Sequence, residues 1–257
     1  MGIDPQVTSQ LNLGIVLFCL GFPDRALASN RAALAGARRL ARPPSVALSL
    51  GFGALLLALV GDDAVLSEWL DELAVVLAEH DIPVYRASQP ILRGWAKVKN
   101  GDVTEGMALL RGGATAYRAI GQEAWLPYFI DLQAAACEIA GLVQESLVLV
   151  NEALQIAERT GELWFAAELN RHKGQLLLRQ GHTEAAEKFY RNALRIAEEQ
   201  GARLWELRSA VSIARLRRDQ GRRAEARDLL APVYSWFTEG FATPDLQEAK
   251  SLLDELC

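Results

Sequence analysis

The sequence predicts an all-α chain, a right-handed α-solenoid of six helix–turn–helix repeats followed by a C-terminal capping helix. Two registers and one terminal pattern predict it. Glycine stands at 21, 61, 101, 141, 181 and 221, a step of 40 each time. A second register lies seven positions earlier, at Gly14, Ala54, Gly94, Ala134, Gly174 and Ala214, and all six side chains are small. Registers that stay in phase from position 14 to position 221 mark a repeat array. Such an array grows by adding units rather than by enlarging one core. At the far end, Leu246, Ala249, Leu252, Leu253 and Leu256 form one apolar stripe on an otherwise polar segment. That is the pattern of a helix covering the last apolar face of a solenoid.

Each repeat reads as helix A before the register glycine and helix B after it. The expected repeats cover about 5–41, 45–80, 84–120, 126–160, 163–200 and 202–239, with the capping helix at 244–256. Within them A helices are expected over about 5–20, 45–60, 84–100, 126–140, 163–180 and 202–220, and B helices over about 24–41, 63–80, 103–120, 143–159, 183–200 and 223–238. Apolar residues recur at three and four, as in Leu147, Val150, Ala153, Leu154 and Ala157. Gly121, Gly161 and Gly201 close B helices, where the chain often turns left-handed. Pro5, Pro44 and Pro127 fall near A-helix starts, where a missing N–H costs nothing. Pro90 predicts a kink or a late start in the third A helix, and Pro232 a bend in the last B helix. The small A-register residues let the two helices of a hairpin approach closely. Thr243 is the expected N-cap of the last helix, with Pro244 at its first position and Asp245 at the positive end of its dipole.

Composition sets bounds on function. The chain has 257 residues, 51% hydrophobic and 23% charged, with a net charge of −5. That charge gives no general attraction to nucleic acid or acidic membranes. Three separated cysteines, Cys19, Cys137 and Cys257, argue against a disulfide framework and for a reducing, cytoplasmic setting. The N-terminal residues lack the pattern of a signal peptide. Residues 43–61 hold no charge, but their phase matches the other repeats, so they read as a buried A helix rather than a membrane span. The first A helix carries Leu11, Leu13, Ile15, Val16, Leu17, Phe18 and Leu20, apolar nearly all round. With nothing before it to bury it, the chain reads as a piece of a longer protein, or as one that dimerises through an uncapped first repeat.

The two registers resemble tetratricopeptide repeats in a long form with a step of 40. The alanine of that motif's second helix matches at Ala26, Ala186 and Ala226, whereas Leu66 and Gly106 depart from it, so the second and third hairpins should pack differently. Longer phrases carry a closer resemblance: Leu-Gly-Phe-Pro-Asp-Arg-Ala-Leu-Ala (20–28), Ala-Glu-Leu-Asn-Arg-His-Lys-Gly-Gln-Leu-Leu-Leu (167–178) and, most specific, Ala-Glu-Ala-Arg-Asp-Leu-Leu-Ala-Pro-Val-Tyr-Ser-Trp-Phe-Thr-Glu-Gly-Phe-Ala-Thr-Pro-Asp-Leu-Gln-Glu-Ala-Lys-Ser-Leu-Leu-Asp-Glu-Leu (224–256). They are similar to the C-terminal repeats of bacterial signalling proteins that join an adenylate/guanylate cyclase or a DNA-binding activator to a predicted ATPase. The resemblance implies a regulatory, protein-binding segment without the catalytic modules.

Chemistry-bearing motifs are sparse. No GxxxxGK[ST] phosphate loop, GxGxxG turn or GxSxG elbow occurs. Glu168 and His172 share a helical face, but zinc needs three or four ligands and no second pair is visible, so neither a metal nor another cofactor is expected. Eight arginines between 201 and 230 (Arg203, Arg208, Arg215, Arg217, Arg218, Arg222, Arg223 and Arg227) could meet phosphates, yet acids interleave them and a salt-bridged surface is the simpler reading.

The expected site is therefore a concave groove lined by A helices, binding a protein segment or a neighbouring domain of the same polypeptide. A small-molecule sensor, with the groove closed around a metabolite or nucleotide, is the alternative. In repeats 4 to 6 the groove residues are Tyr128, Asp131, Glu138, Glu168, Arg171, Gln175, Arg179, Arg208, Arg215 and Arg218. In repeats 1 and 2 they are the apolar Leu11, Ile15, Phe18, Leu48 and Leu55.

Overall fold

The computed structural model describes residues 4–256, and Cys257 lies outside the described residues. Among these residues the chain is all helical, with thirteen helices and no strand. Six hairpins follow one another: α1 (Pro5–Cys19) with α2 (Pro23–Leu40), α3 (Pro43–Val60) with α4 (Asp63–Glu79), and α5 (Pro83–Lys99) with α6 (Val103–Ala119). Then come α7 (Leu126–Ile139) with α8 (Val143–Thr160), α9 (Ala166–Arg179) with α10 (Thr183–Gln200), and α11 (Arg203–Asp219) with α12 (Arg223–Ser235). The last helix, α13 (Pro244–Glu255), packs on α11 and α12 and buries Leu246, Ala249 and Leu252.

Local chemistry accounts for the helix limits. Asp4, Asp62 and Asp102 cap α1, α4 and α6 by accepting from backbone N–H groups of the first turn. All six register glycines, Gly21 to Gly221, have a clearly positive φ. A residue without Cβ adopts that conformation at little cost. Pro90 sits inside α5, which starts at Pro83 without delay. The helix tolerates it mid-run because Ile91, Leu92 and Ala96 beside it are buried and hold the segment by packing. Two other limits differ from expectation. α9 begins only at Ala166, because Trp164 and Phe165 turn inward in the preceding loop, and α12 ends at Ser235, shortly after Pro232. Thr243 precedes α13 but does not cap it through its side chain, since its hydroxyl donates back to the Gly240 carbonyl at 2.7 Å.

The third hairpin shows what its unusual residues do. A Cβ on Gly94 would lie 2.6 Å from the Gly106 carbonyl oxygen, and a Cβ on Gly106 would lie 2.6 Å from that of Gly94. The backbones of α5 and α6 thus approach to a distance that only paired glycines permit. In the second hairpin the equivalent contact is made by side chains, with buried Leu66 and Trp69 facing Ala54 and Gly53.

The odd-numbered helices form the inner layer. α1 packs on α3, α3 on α5, α5 on α7 and α9 on α11, and Tyr128 meets Phe165 where α7 passes α9. The layer then closes on itself, because α11 packs against α1. Phe18 stands edge-on to Trp205 at 5.6 Å. Phe22 meets Trp236 at 5.4 Å, Arg25 pairs with Glu239 at 2.8 Å, and Asp24 accepts from the Gly240 N–H at 2.9 Å. The expectation that nothing covers the first A helix is therefore corrected: α2 and α3 cover Val7 and Leu11, and the other end of the same chain covers the end of α1 around Phe18. Leu11, Ile15 and Phe18 are buried, while Leu13 and Val16 on the opposite side stay about half exposed, at 50% and 51%. Closure also places α3 inside the fold. By length and composition α3 could cross a membrane, but 72% of it is buried among other helices.

One aromatic path follows the closure. Phe52 of α3 meets Trp125 at 4.9 Å, Trp125 meets Trp164 at 5.0 Å, Trp164 meets Phe165 at 5.1 Å, and Phe165 meets Trp205 at 5.6 Å, next to Phe18. Centroid separations of this size fit the attractive range for tilted and edge-to-face rings. The sequence holds a sign of it that periodicity in small and apolar residues does not reveal: three of its members, Trp125, Phe165 and Trp205, recur at a step of 40.

Two substitutions test these packing claims. Gly94→Ala forces two backbones apart and should cost ~1–3 kcal/mol, read as a lower urea midpoint. Phe18→Ala removes the aromatic contact across the closure and should cost ~3–5 kcal/mol. It should also raise the radius of gyration in X-ray scattering, and an unchanged radius would show that the ring does not depend on this contact.

Candidate functional site

Closure converts the expected open groove into a partly enclosed chamber of about 300 Å³. Its walls come from distant parts of the chain: Leu59 and Gly61 at the end of α3, Trp95 and Lys99 on α5, and Tyr128, Asp131 and Glu138 on α7. Phe165 before α9, Glu168, Arg171, His172 and Gln175 on α9, Arg208 on α11 and Asp245 on α13 complete it. The helical spacing explains why α9 contributes so much, since positions 168, 171, 172 and 175 lie three and four apart on one face.

Arg208 occupies the junction. Its Nε and Nη2 donate to the two carboxylate oxygens of Asp245 at 2.7 and 2.9 Å, and its Nη1 donates to Glu168 at 3.0 Å. Nη2 also donates to the Leu59 carbonyl at 2.9 Å, across the closure. Arg171 holds both oxygens of Glu168, at 2.9 and 3.1 Å. Burial acts to raise the Glu168 carboxyl, but the charges of Arg171 and Arg208 outweigh it and hold the group below its ordinary range. Burial likewise acts against the charge on Arg208, and Asp245 and Glu168 more than offset it, so its pKa is raised.

A second cluster centres on His172. Its Nδ1 lies 2.6 Å from Asp131 Oδ1 and its Nε2 lies 3.2 Å from Glu138 Oε2. Burial acts to neutralise the imidazole, but the Asp131 charge and the bonds to both carboxylates prevail and lift its pKa to about 9. The ring is thus an imidazolium at neutral pH and donates to both acids. Burial pushes Glu138 up, while the hydrogen bonds from His172 and Gln175 push it down further, for a net lowering.

The ten expected groove residues separate into two sets. Tyr128, Asp131, Glu138, Glu168, Arg171, Gln175 and Arg208 line the chamber. Arg179 pairs with Glu138 at 2.8 Å from a half-exposed position, Arg215 pairs with Glu248, and Arg218 pairs with Glu255 at 2.6 Å. Those three stand outside the lining, with Arg215 and Arg218 toward the surface between α11 and α13. Leu11, Ile15, Phe18, Leu48 and Leu55 do not offer an open apolar groove, because all five are buried in the closed array. Glu168 and His172 do not act as a pair either, since each faces a different partner. Five of the eight clustered arginines, Arg203, Arg208, Arg215, Arg218 and Arg222, pair with acids, while Arg217 donates to the Glu225 backbone carbonyl.

Sequence reasoning misses Lys99, Trp95 and Asp245 as site residues and weighs His172 only as a metal ligand. It assigns Asp245 to the helix dipole, whereas the bidentate bond of Asp245 to Arg208 depends on superhelical packing that no local pattern announces. Tyr128 is 2% exposed, and its hydroxyl has no hydrogen-bond partner although it lies within the influence of the Arg208 and Asp131 charges. Cys19 and Cys137 are free thiols pushed up by burial to about 12 and about 11, which keeps them protonated and unreactive.

His172 gives the site a pH signature. Its folded pKa is raised, so the stabilisation it supplies is complete below 6.5 and is lost as pH rises through about 9. Urea midpoints of the wild type should fall across that window, and His172→Gln should flatten the fall. An equally steep loss in the variant would assign it to other groups.

No protein-family model matches this chain. An uncharacterized protein of Rhizobium meliloti (strain 1021) is 28% identical over 202 residues, which is 78% of this chain and 20% of that protein. The chain thus spans about a fifth of the length of the curated relative it matches. Among solved structures, Bacillus thuringiensis PlcR in complex with the peptide PapR7 and DNA aligns with a TM-score of 0.62 at 16% identity, covering 76% of this chain and 70% of that one. The apo quorum sensor NprR from B. thuringiensis aligns at 0.62 and 13%, covering 98% and 70%. A signal-transduction ATPase with numerous domains and a tetratricopeptide repeat sensor, from Pyrococcus horikoshii, aligns at 0.55 and 12%, covering 97% and 42%. At these identities the similarity concerns the fold, and the chain has the fold of tetratricopeptide-like helical-repeat proteins.

Proposed function

We propose that this chain is a non-enzymatic regulatory module that engages a neighbouring segment or domain of a longer signalling protein, with a cyclase, an ATPase or a transcription activator as the effector. The observation that carries the reading is the division of the charged residues. Arg179, Arg215 and Arg218 each pair with one acid yet stay partly exposed outside the lining, while the inner residues are largely buried and committed to one another. A partially exposed charged rim suits recognition, where charge sets register and association rate more than raw affinity. The small share of the Rhizobium meliloti relative that this chain covers supports a longer parent protein. The peptide in the PlcR complex, and the cognate peptide NprX in the NprR complex, support a scaffold fold suited to binding polypeptide segments.

A second reading, small-molecule sensing, is favoured by the chamber itself. Its volume of about 300 Å³ suits a small molecule and is too small for a long extended peptide. Ligand pockets of that size lie at the lower end of the usual range.

The leading reading is tested by co-purifying residues 1–257 with the segments that flank it in its parent protein. Arg215→Glu together with Arg218→Glu should weaken a verified association about tenfold at low salt, with less effect at high salt. Undiminished affinity would remove the rim from the binding surface.

A further inference from the structure

We propose that the chamber binds a free amino acid, or a zwitterion of that size, with its ammonium group on Asp131 and its carboxylate on Arg171. The inference rests on the sensing reading and names its ligand class. Charge balance comes first. The lining holds Lys99, Arg171, His172 and Arg208 against Asp131, Glu138, Glu168 and Asp245, four groups of each sign once His172 is protonated, and the two groups that pair into it from outside, Asp63 on Lys99 and Arg179 on Glu138, cancel one another. A ligand with net charge would leave that charge uncompensated in a partly desolvated space, which is costly. A zwitterion adds none.

Unused hydrogen-bonding capacity selects a zwitterion over a neutral molecule. A guanidinium has five N–H donors. Arg171 spends three, two on Glu168 and one on Gln175, and keeps two beside the chamber. Asp131 commits only Oδ1, to His172, so its second oxygen can accept. Tyr128 adds a buried hydroxyl without a partner, a state that costs free energy until something bonds to it. Charged donors and acceptors bond best to charged groups of opposite sign. The faces of Trp95 and Phe165 supply apolar wall for a side chain. Leu59 and Gly61 stand on one side of the ring closure and Arg208 and Asp245 on the other, so an occupant touches both ends of the array and holds it closed.

The test uses the whole chain. Thermal unfolding is followed with each free L-amino acid at millimolar concentration, and with glucose and glycerol as neutral polar probes. At least one amino acid should raise Tm in a concentration-dependent way while the neutral probes do not. Tyr128→Phe removes a hydroxyl that bonds to nothing in the empty protein, so its unliganded Tm should match or exceed the wild type, yet its affinity by calorimetry should fall about tenfold. Arg195→Ala, on the far surface of α10, should bind as the wild type does. The proposal is overturned if no amino acid raises Tm, if the neutral probes stabilise equally well, or if Tyr128→Phe keeps full affinity. Binding to flanking segments is a separate readout through the rim, so failure there leaves this result intact, and the reverse also holds.

Discussion

The guanidinium of Arg208 bonds to α13 through Asp245, to α9 through Glu168 and to the last turn of α3 through the Leu59 carbonyl, and the closed form of the array depends on it. It also lies over Trp205, 5.0 Å from the ring centroid, and 5.9 Å from that of Phe18. Placing a guanidinium in the interior carries a large desolvation cost, which only close and well-aligned acceptors offset. Here two carboxylates and one carbonyl do so. The same acceptors come from elements that are far apart in sequence, so satisfying the charge and closing the ring are one requirement. The apolar part of the junction, Phe18 against Trp205 and Phe22 against Trp236, supplies the area burial that ion pairs alone do not.

The periodic part of this architecture is legible in the sequence because it is local. A glycine with positive φ at each register position, and a small residue seven positions before it, are demands of a turn and of a hairpin contact, and both recur wherever the unit recurs. The apolar stripe of α13 is legible for the same reason. The closure is not legible in this way. Leu11, Ile15, Phe18, Leu48 and Leu55 look the same in sequence whether they line an open groove or pack under another helix. The curvature that decides between these outcomes accumulates from small rotations at every repeat, which no single residue encodes.

The candidate site is legible to a corresponding depth. Glu168, Arg171 and Gln175 lie on one face of α9 by helical spacing alone, and the inner face follows from the repeat register. Which residue each would meet depends on superhelical geometry. His172 can be placed beside Glu168 on α9 from its spacing, but its true partners, Asp131 and Glu138, lie on α7. Asp245 has the position of a residue that serves its own helix and instead serves Arg208. The step-40 aromatics are present to be read. They go unread because aromatic residues in helical arrays are usually core, and only their chain of contacts distinguishes a continuous path from separate fillers.

The meeting of the two ends has a consequence for how the protein is made. An open solenoid can fold progressively as it leaves the ribosome, because each repeat needs only its neighbour. Phe18 must instead wait for Trp205, which belongs to the sixth repeat while Phe18 belongs to the first. At ~5–20 residues per second of synthesis, that interval is roughly ten to forty seconds. During it α2 and α3 already cover Val7 and Leu11, but the end of α1 around Phe18 lacks its final partner, and the nascent chain presents to chaperones, or to another chain on the same message, the surface that the finished ring conceals.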